Sequence, residues 1–288
     1  MSTRLREIAR QTEEIVAAGG YRLPGGPGEE RTGARTGGRP GGRSGERDVP
    51  IAAAVEAARA GTRMYGPGPV PVPDAPRGEC RIEVTGESSL EAARRLGPGV
   101  AVLNFASARN PGGGYLNGAQ AQEEALCRAS ALYTCLLRAR EFYDHHRGHR
   151  DPFYTDRVIH SPGVPVFRDD RGDLLDEPFA AGFLTAAAPN AGVIRRTAPR
   201  RAGELPAALA ARAERVLETA AACGYRRLVL GAWGCGVFQN DPGQVAEAFR
   251  ALLRAEGRFA GAFTHVTFGI LDRTRDGAVR EAFVRVFV

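Results

Sequence analysis

The sequence predicts an α/β domain with a mixed, mostly parallel sheet flanked by helices on both faces, preceded by an N-terminal helical appendage. From Cys80 onward, apolar runs of strand length alternate with helical segments, which is typical of a parallel sheet. Two glycine-rich loops each follow an apolar run, at the place where ligands bind in such sheets.

The appendage begins with a helix from Ser2, a candidate N-cap, to Gly19 or Gly20, because apolar residues recur there at helical spacing. Residues 23–48 are rich in Gly and Arg and nearly free of apolar side chains. We expect a flexible loop there, with a nucleic-acid contact as the alternative.

A second helix over residues 50–62 and a Pro-rich connector over Gly66–Pro76 complete the appendage. The predicted domains are therefore residues 1–78 and residues 79–288.

The larger domain contains six predicted strands and five predicted helices. The strands are CRIEVTG, VAVLNFAS, DRVIHSPGVPVF, GFLTAAAP, RRLVLGAW and HVTFGILD. The helices are SSLEAARRLG, a long helix over Ala119–Arg140, GELPAALAARAERVLETAAACG, residues 242–256 and residues 277–286. Between the third and fourth strands, RDDRGD is expected to form a β-turn rather than a cation site.

Composition excludes several classes of protein. The five cysteines are scattered without a C-x-x-C pair, so neither a disulfide framework nor a zinc site is indicated, and a cytoplasmic protein is expected. No stretch approaches the roughly 18 apolar residues of a membrane span. The net charge of +6 comes from arginine alone, which permits a polyanionic partner without specifying one.

The first loop, Asn110–Gly118, contains three consecutive glycines and precedes two adjacent glutamates, Glu123 and Glu124. Glycines at a strand-to-helix junction let backbone amides approach phosphate or sugar. Glutamates in a first helical turn often serve only as caps. Their position directly after a ligand loop favours a second role, in which one carboxyl exchanges protons with a leaving group and water while its neighbour binds hydroxyls.

The second loop, Gly231–Asp241, has the sequence GAWGCGVFQND and also suits a phosphate. It lacks the Lys and the Ser or Thr of a metal-dependent nucleotide loop, and neither loop is a GxGxxG fingerprint. Together the two loops indicate one ligand that contains a diphosphate and a ribose.

These motifs resemble the bacterial class of poly(ADP-ribose) glycohydrolases, enzymes with a macrodomain fold. The resemblance rests on VLNFASARNPGGGYLNGAQAQEEALCRASALY, VIHSPGVPVFRDD, TAAAPNAG and LGAWGCGVFQND, and covers about residues 80–288 and the opening helix. The family signature, GGG followed by QEE, is present as Gly112–Gly114, seven residues and Gln122–Glu124.

The resemblance implies hydrolysis of ribose–ribose bonds in poly(ADP-ribose), with ADP-ribose as the product and no metal or organic cofactor. Glu124 would be the acid/base, and Glu123 would hold ribose hydroxyls at the scission point. The implied substrate-binding residues are Asn110, Gly112, Gly113, Gly114, Gln122, Gly234, Cys235, Gly236, Val237, Phe238 and Phe268. Adjacent carboxyls do not fit the usual glycosidase plan of two separated groups, so one carboxyl must act as both acid and base.

Several other residues allow more than one interpretation. Phe268 could stack on adenine or lie in the core, and Cys235 could be a nucleophile, although a small loop residue is favoured. His145, His146 and His149 are expected on the solvated surface rather than at a metal, and His160 is expected to be structural. Partners are poly(ADP-ribose) or ADP-ribosylated proteins, with no membrane, no specific nucleic acid and a monomeric state expected. The alternative functions are a non-catalytic ADP-ribose-binding macrodomain and a mono-ADP-ribosyl-protein hydrolase.

Overall fold

A computed structural model of the chain describes residues 2–24, 46–74, 77–254 and 256–288. Within these ranges the helices are α1 (Thr3–Ala18), α2 (Ala52–Gly61), α3 (Ser89–Leu96), α4 (Gln122–Ala129), α5 (Leu132–Leu136), α6 (Arg140–Gly148), α7 (Ala191–Thr197), α8 (Leu205–Ala222), α9 (Pro242–Leu253) and α10 (Ala278–Phe287). The strands are β1 (Gly20–Leu23), β2 (Arg47–Pro50), β3 (Arg63–Tyr65), β4 (Arg81–Thr85), β5 (Val100–Phe105), β6 (Val158–Arg168), β7 (Leu174–Ala186), β8 (Arg227–Leu230) and β9 (His265–Gly269).

Seven of these strands form the central sheet, in the order β3-β6-β7-β5-β8-β9-β4. The pairs β7–β5, β5–β8, β8–β9 and β9–β4 are parallel, whereas β3–β6 and β6–β7 are antiparallel. The predicted mixed, mostly parallel sheet is therefore confirmed.

Strand β5 lies at the centre of the sheet and is buried on both faces. Val100 and Val102 pack in one apolar cluster with residues of α1 to α6, while Ala101 and Leu103 pack in another with α8, α9 and α10. Successive side chains of a strand point to opposite faces, so the continuous apolar run in the sequence becomes two cores. Loops that leave the carboxyl end of β5 are thus held by a rigid support.

The opening helix is confirmed at both ends. Ser2 Oγ accepts a hydrogen bond from Leu5 N at 3.4 Å, and Gly19 ends the helix in the left-handed conformation at φ +73°. Residues 25–45, which make up most of the predicted flexible loop, lie outside the described residues. The two ends of that predicted loop belong to β1 and β2, which pair antiparallel.

The N-terminal segment is joined to the central sheet by two kinds of contact. Strand β3 pairs with β6, and the buried Thr12 of α1 donates a hydrogen bond to the carbonyl oxygen of Arg128 in α4 at 2.7 Å. The domain boundary near residue 78 stays a prediction, and these contacts show that residues on both sides of it share one sheet and one core.

The prediction of one long helix over Ala119–Arg140 is wrong, because the segment forms α4, α5 and the start of α6. Ser130 between α4 and α5 is extended (φ −147°, ψ 175°) and forms a β-bridge with Val166 of β6. Its Oγ donates to Leu126 O at 2.7 Å and accepts from Leu132 N at 3.2 Å. These bonds satisfy backbone groups at the ends of both helices, so the break is stable within the core.

The segment RDDRGD forms the predicted turn, which joins β6 to β7. Asp169 Oδ1 accepts hydrogen bonds from the backbone N–H groups of Arg171 and Asp173, each at 2.9 Å. Strand β7 begins at Leu174, eight residues before the predicted strand GFLTAAAP, and ends at Ala186, three residues before its predicted end. None of the helices in the described ranges has both the length and the apolar character needed to cross a membrane.

Candidate active site

The first loop leaves the carboxyl end of β5 and leads into α4, which carries the two glutamates. Gly112 and Gly113 adopt positive φ angles of +67° and +58°, a conformation that favours glycine. The loop closes with hydrogen bonds from Gly113 N to Asn110 O and from Tyr115 N to Gly112 O, at 2.9 and 3.0 Å. Its backbone is therefore fixed by short local bonds directly in front of α4.

Both carboxyls lie against Gly113, although their side chains leave α4 about 100° apart. A Cβ built on Gly113 would overlap with Glu124 Oε1 and would lie 3.2 Å from Glu123 Oε2. The first loop folds back over the start of α4 and brings the two carboxyls to one point. Glycine is required at position 113 both by its φ angle and by this contact.

Glu123 is buried, and both of its carboxyl oxygens have partners. Oε2 accepts from Ser107 N at 2.7 Å, and Oε1 accepts from Asn104 Nδ2 at 3.3 Å. Burial raises the pKa of Glu123 to about 8, the negative charge of Glu124 adds to that effect, and the hydrogen bonds from Ser107 and Asn104 oppose it. Glu123 is thus a rigidly held group that favours its neutral form.

Glu124 is also buried, at 7% exposure, but only one of its oxygens is held. Oε1 accepts a hydrogen bond from Gly114 N at 2.8 Å. Oε2 has no partner within the described parts of the chain. One oxygen thus anchors the carboxyl to the glycine loop, and the other is left for a ligand or water.

Two further residues near Glu123 were not predicted. Asn104 is fully buried on β5, and its Nδ2 also donates to Thr185 Oγ1 of β7 at 3.1 Å, while its Oδ1 has no partner among the described residues. Tyr143 of α6 is fully buried with a hydroxyl that has no partner in the same residues, and its pKa is raised by burial and then by the charge of Glu123. The sequence signal that could have identified Asn104 is its position as a lone asparagine inside the apolar run VAVLNF.

Gln122, the first residue of the QEE motif, ties α4 to the sheet. Its Oε1 accepts from Phe105 N at 2.9 Å, and its Nε2 donates to Leu103 O at 2.8 Å and to Ser89 Oγ at 3.1 Å. These three bonds fix the start of α4 relative to the end of β5. They hold the glutamates in register with the first loop.

The second loop leaves the carboxyl end of the neighbouring strand, β8. Gly234 has φ +71°, and a Cβ there would overlap with the Asn240 amide and would lie 2.7 Å from Ala188 Cβ. Asn240 Nδ2 donates to Pro189 O at 2.9 Å, and the indole of Trp233, buried beneath the loop, donates to Ala186 O at 3.0 Å. The loop is thereby fastened at both ends to the last residue of β7 and to the residues that follow it.

The middle of the second loop presents residues of different character. Burial raises the pKa of Cys235 to about 12, and the charge of Asp241 acts in the same direction, so a thiolate nucleophile is disfavoured there. Val237 is 77% exposed, and the ring of Phe238 lies 5.8 Å from that of Tyr154. A Cβ on Gly236 would meet no heavy atom within 4 Å, so its backbone is open to an approaching ligand.

A cleft of about 920 Å³ connects the start of α4 with the second loop. Phe105 and Gln122 line one part of it, Cys235 and Gly236 line another, and residues 269–274 after β9 complete it. This volume suits a small-molecule ligand. The cleft lies along the carboxyl edge of the parallel strands, as the two glycine loops predicted.

Phe268 and Asn110, two of the predicted ligand contacts, do not line this cleft. Phe268 is fully buried on β9, where its ring packs 4.4 Å from Phe287 and 5.4 Å from Phe283. Phe268 therefore lies in the core, as one of its two interpretations predicted. The aromatic side chain that lines the cleft is Phe105. Asn110 is exposed on the rim of the first loop and uses its carbonyl to accept from Gly113.

The histidines take structural positions. His160 Nε2 lies 2.9 Å from Tyr225 Oη, as expected of a structural histidine. His145 and His149 stack at the surface, but the prediction of a solvated His146 is wrong, since that ring is buried and hydrogen-bonded to Thr155 Oγ1 at 2.7 Å. The described ranges contain no group of three His, Cys, Asp or Glu side chains that could hold a metal ion.

Comparison with known sequences places the chain in one family. The profile described as "Microbial-type PARG, catalytic domain" matches residues 41–169, which include the first loop and both glutamates. A search of curated proteins gave no match.

Solved structures extend this likeness over the chain. Poly(ADP-ribose) glycohydrolase from Thermomonospora curvata is 47% identical, with a TM-score of 0.87 over 99% of this chain and 100% of that one. Its complex with the inhibitor ADP-HPD is 46% identical, with a TM-score of 0.85 over the same shares of the two chains.

The enzyme from Deinococcus radiodurans, solved with ADP-ribose, is 45% identical, with a TM-score of 0.74 over 80% of this chain and 96% of that one. The shared fold, the GGG–QEE unit and the identity over nearly the whole length agree with one another. The chain belongs to the microbial-type poly(ADP-ribose) glycohydrolase family.

Proposed function

We propose that this protein hydrolyses ribose–ribose O-glycosidic bonds in poly(ADP-ribose) and releases ADP-ribose. Support comes from its family and from the cleft that connects the start of α4 with the second glycine loop at the edge of the sheet. The observation that carries the assignment of the acid/base is the difference between the two carboxyls. Glu123 has both oxygens engaged, whereas Glu124 keeps Oε2 without a partner among the described residues.

Glu124 donates a proton to the glycosidic oxygen as the bond from that oxygen to the anomeric carbon breaks. The charge that develops on the sugar resembles an oxocarbenium ion, and water then attacks the anomeric carbon. The same carboxyl takes the proton that this water releases, so Glu124 ends the cycle protonated as it began. The Gly114 N–H bond to Oε1 keeps the carboxyl oriented through both steps.

Glu123 holds the ribose hydroxyls at the scission point. Its hydrogen bonds to Ser107 N and Asn104 Nδ2 prevent it from turning, so the sugar is presented to Glu124 in one orientation. Because burial favours its neutral form, Glu123 can also donate a hydrogen bond to a sugar oxygen.

The remaining predicted residues bind the rest of the nucleotide. Backbone groups of Gly112–Gly114 contact the diphosphate and distal ribose, with Asn110 at the rim and Gln122 at the adjoining wall of the cleft. Residues 234–238 of the second loop hold the diphosphate, with Gly236 offering the most open backbone.

We also propose that the protein acts as a monomer in the cytoplasm. All five cysteines are free, and Cys127 and Cys135 are buried, which suits a reducing compartment. The partner is then polymer attached to modified proteins, and the product is free ADP-ribose.

The function is tested by incubating the protein with radiolabelled poly(ADP-ribose) and separating the products by size. We expect monomeric ADP-ribose to accumulate. Binding of the polymer without any release would instead indicate a non-catalytic reader. Release from a singly modified protein but not from polymer would indicate a mono-ADP-ribosyl hydrolase.

A further inference from the structure

We propose that a pocket beside α5 and α6 binds the phosphates of the polymer chain that leaves after cleavage. The pocket has a volume of about 510 Å³ and is lined by Arg59, Thr134, Leu137, Arg138 and Arg140. Three of its five residues are arginines, and no acidic side chain lines it. It shares no residue with the cleft that contains Gln122 and the second loop.

The guanidinium groups of the pocket have free donors. Arg138 and Arg140 are exposed and make neither an ion pair nor a hydrogen bond through their side chains within the described portion of the chain. Arg59 contacts Glu56 at 3.1 Å through one terminal nitrogen, while its Nε is buried without a partner among the same residues. Buried polar groups normally have partners, and arginine forks match phosphate oxygens, so this arrangement suits a phosphate or pyrophosphate.

The pocket is connected to the first loop by two short routes. Thr134 follows Tyr133, whose ring would lie 2.9 Å from a Cβ on Gly112. Arg140 begins α6, and Arg147 at the other end of that helix donates to Arg109 O, next to the first loop, at 2.6 Å. The nine residues of α6 rise about 13 Å along the helix axis, so the pocket and the first loop are separated by a distance of that order.

The direction of the polymer follows from the proposed function, on which this inference rests. The terminal ADP-ribose fills the cleft and ends with its distal ribose beside Glu124, so the rest of the chain continues from the anomeric carbon on the side away from the cleft. The first loop contacts Tyr133, the neighbour of Thr134 in the pocket, and leads into α4, whose Gln122 lines the cleft. The next diphosphate along the leaving chain is the group that we assign to the pocket.

The test compares two substrates on one double variant, Arg138→Gln with Arg140→Gln. Long poly(ADP-ribose) carries phosphates beyond the scissile bond, whereas ADP-ribose with a nitrophenyl group on the anomeric oxygen carries none. Arg94→Gln with Arg285→Gln is the matched control, because it removes the same charge from exposed positions near the opposite edge of the sheet.

We expect the pocket variant to raise KM for long polymer about tenfold at low salt and to weaken the salt dependence of KM, because counterions are released for each phosphate contact. Turnover of the nitrophenyl substrate should stay at the wild-type level, and the control should behave as wild type on both substrates. Unchanged KM for polymer, or an equal loss on both substrates, would overturn the proposal. Single-stranded DNA is added as a competitor in the same assay. If it inhibits the wild type but not the pocket variant, while the KM for polymer is unchanged, the pocket is reassigned to nucleic acid. Failure of the wild-type protein on both substrates would reject the proposed function instead.

Discussion

Glu124 Oε1 accepts a hydrogen bond from Gly114 N at 2.8 Å, and the space between this carboxyl and Gly113 admits no side chain. The first loop therefore fixes the position of the carboxyl. The GGG and QEE motifs form one structural unit, because the glycines determine where the glutamates can lie.

Gly113→Ala should reduce activity strongly while leaving the protein folded. The added Cβ overlaps with Glu124 Oε1 and must displace it, and the positive φ adds a cost of about 1–2 kcal/mol. Kinetics with polymer and thermal unfolding measure the two effects separately. Gly163→Ala is the matched control, since Gly163 has φ +55° but a Cβ there would meet no heavy atom within 4 Å. Equal activity losses in both variants would mean that backbone strain, and not contact with Glu124, explains the effect.

The stability of the protein should fall as pH rises through the range set by Glu123. The folded protein keeps a proton on this carboxyl up to about pH 8, whereas the unfolded chain releases it near 4.5. The unfolded state therefore binds fewer protons in this window, and the free energy of unfolding decreases with pH.

Glu123→Gln cannot ionise and should remove this decrease. Its amide nitrogen cannot accept one of the two bonds from Ser107 N and Asn104 Nδ2, so the variant carries a cost that does not depend on pH. Between pH 4.5 and pH 8 we expect the free energy of unfolding of the variant to rise relative to that of the wild type by something on the order of 2–5 kcal/mol. Urea unfolding at several pH values measures the difference. A difference between the two proteins that stays constant with pH would contradict a raised pKa for Glu123.

Asn104→Ala should lower kcat by about tenfold or more, because it removes the side-chain donor that orients Glu123. It should also cost about 1–3 kcal/mol of stability, since Thr185 loses its partner. Thr185→Val is the control, because it removes that second bond and leaves the bond to Glu123 in place. If both variants lose stability but keep full kcat, Asn104 has only a structural role.

Much of the fold could be predicted because its signals are local. Ser2 and Gly19 at the ends of α1 act through bonds within a single helical turn. The apolar run of β5 and the glycines after it indicated the edge of the sheet along which the cleft lies. The adjacency of Glu123 and Glu124 after the glycines indicated carboxyl chemistry.

The features that could not be predicted depend on partners distant in sequence. The break at Ser130 depends on its bridge to Val166, so helical periodicity alone did not reveal it. Helix α7 is a short segment that was not predicted. The burial of Phe268 depends on α10, and the role of Asn104 depends on Thr185 and Glu123. These contacts exist only once the sheet is assembled.

The most direct test of the central claim measures Glu124→Gln in two assays. The rate of ADP-ribose release from polymer should fall by about 10²- to 10⁴-fold, as expected for the loss of a general acid and base. The dissociation constant for ADP-ribose, measured by calorimetry, should remain close to that of the wild type, because Gln keeps an oxygen that accepts from Gly114 N. Full activity in this variant would contradict the assignment of Glu124, as would a loss of ADP-ribose binding that accounts for the whole decrease.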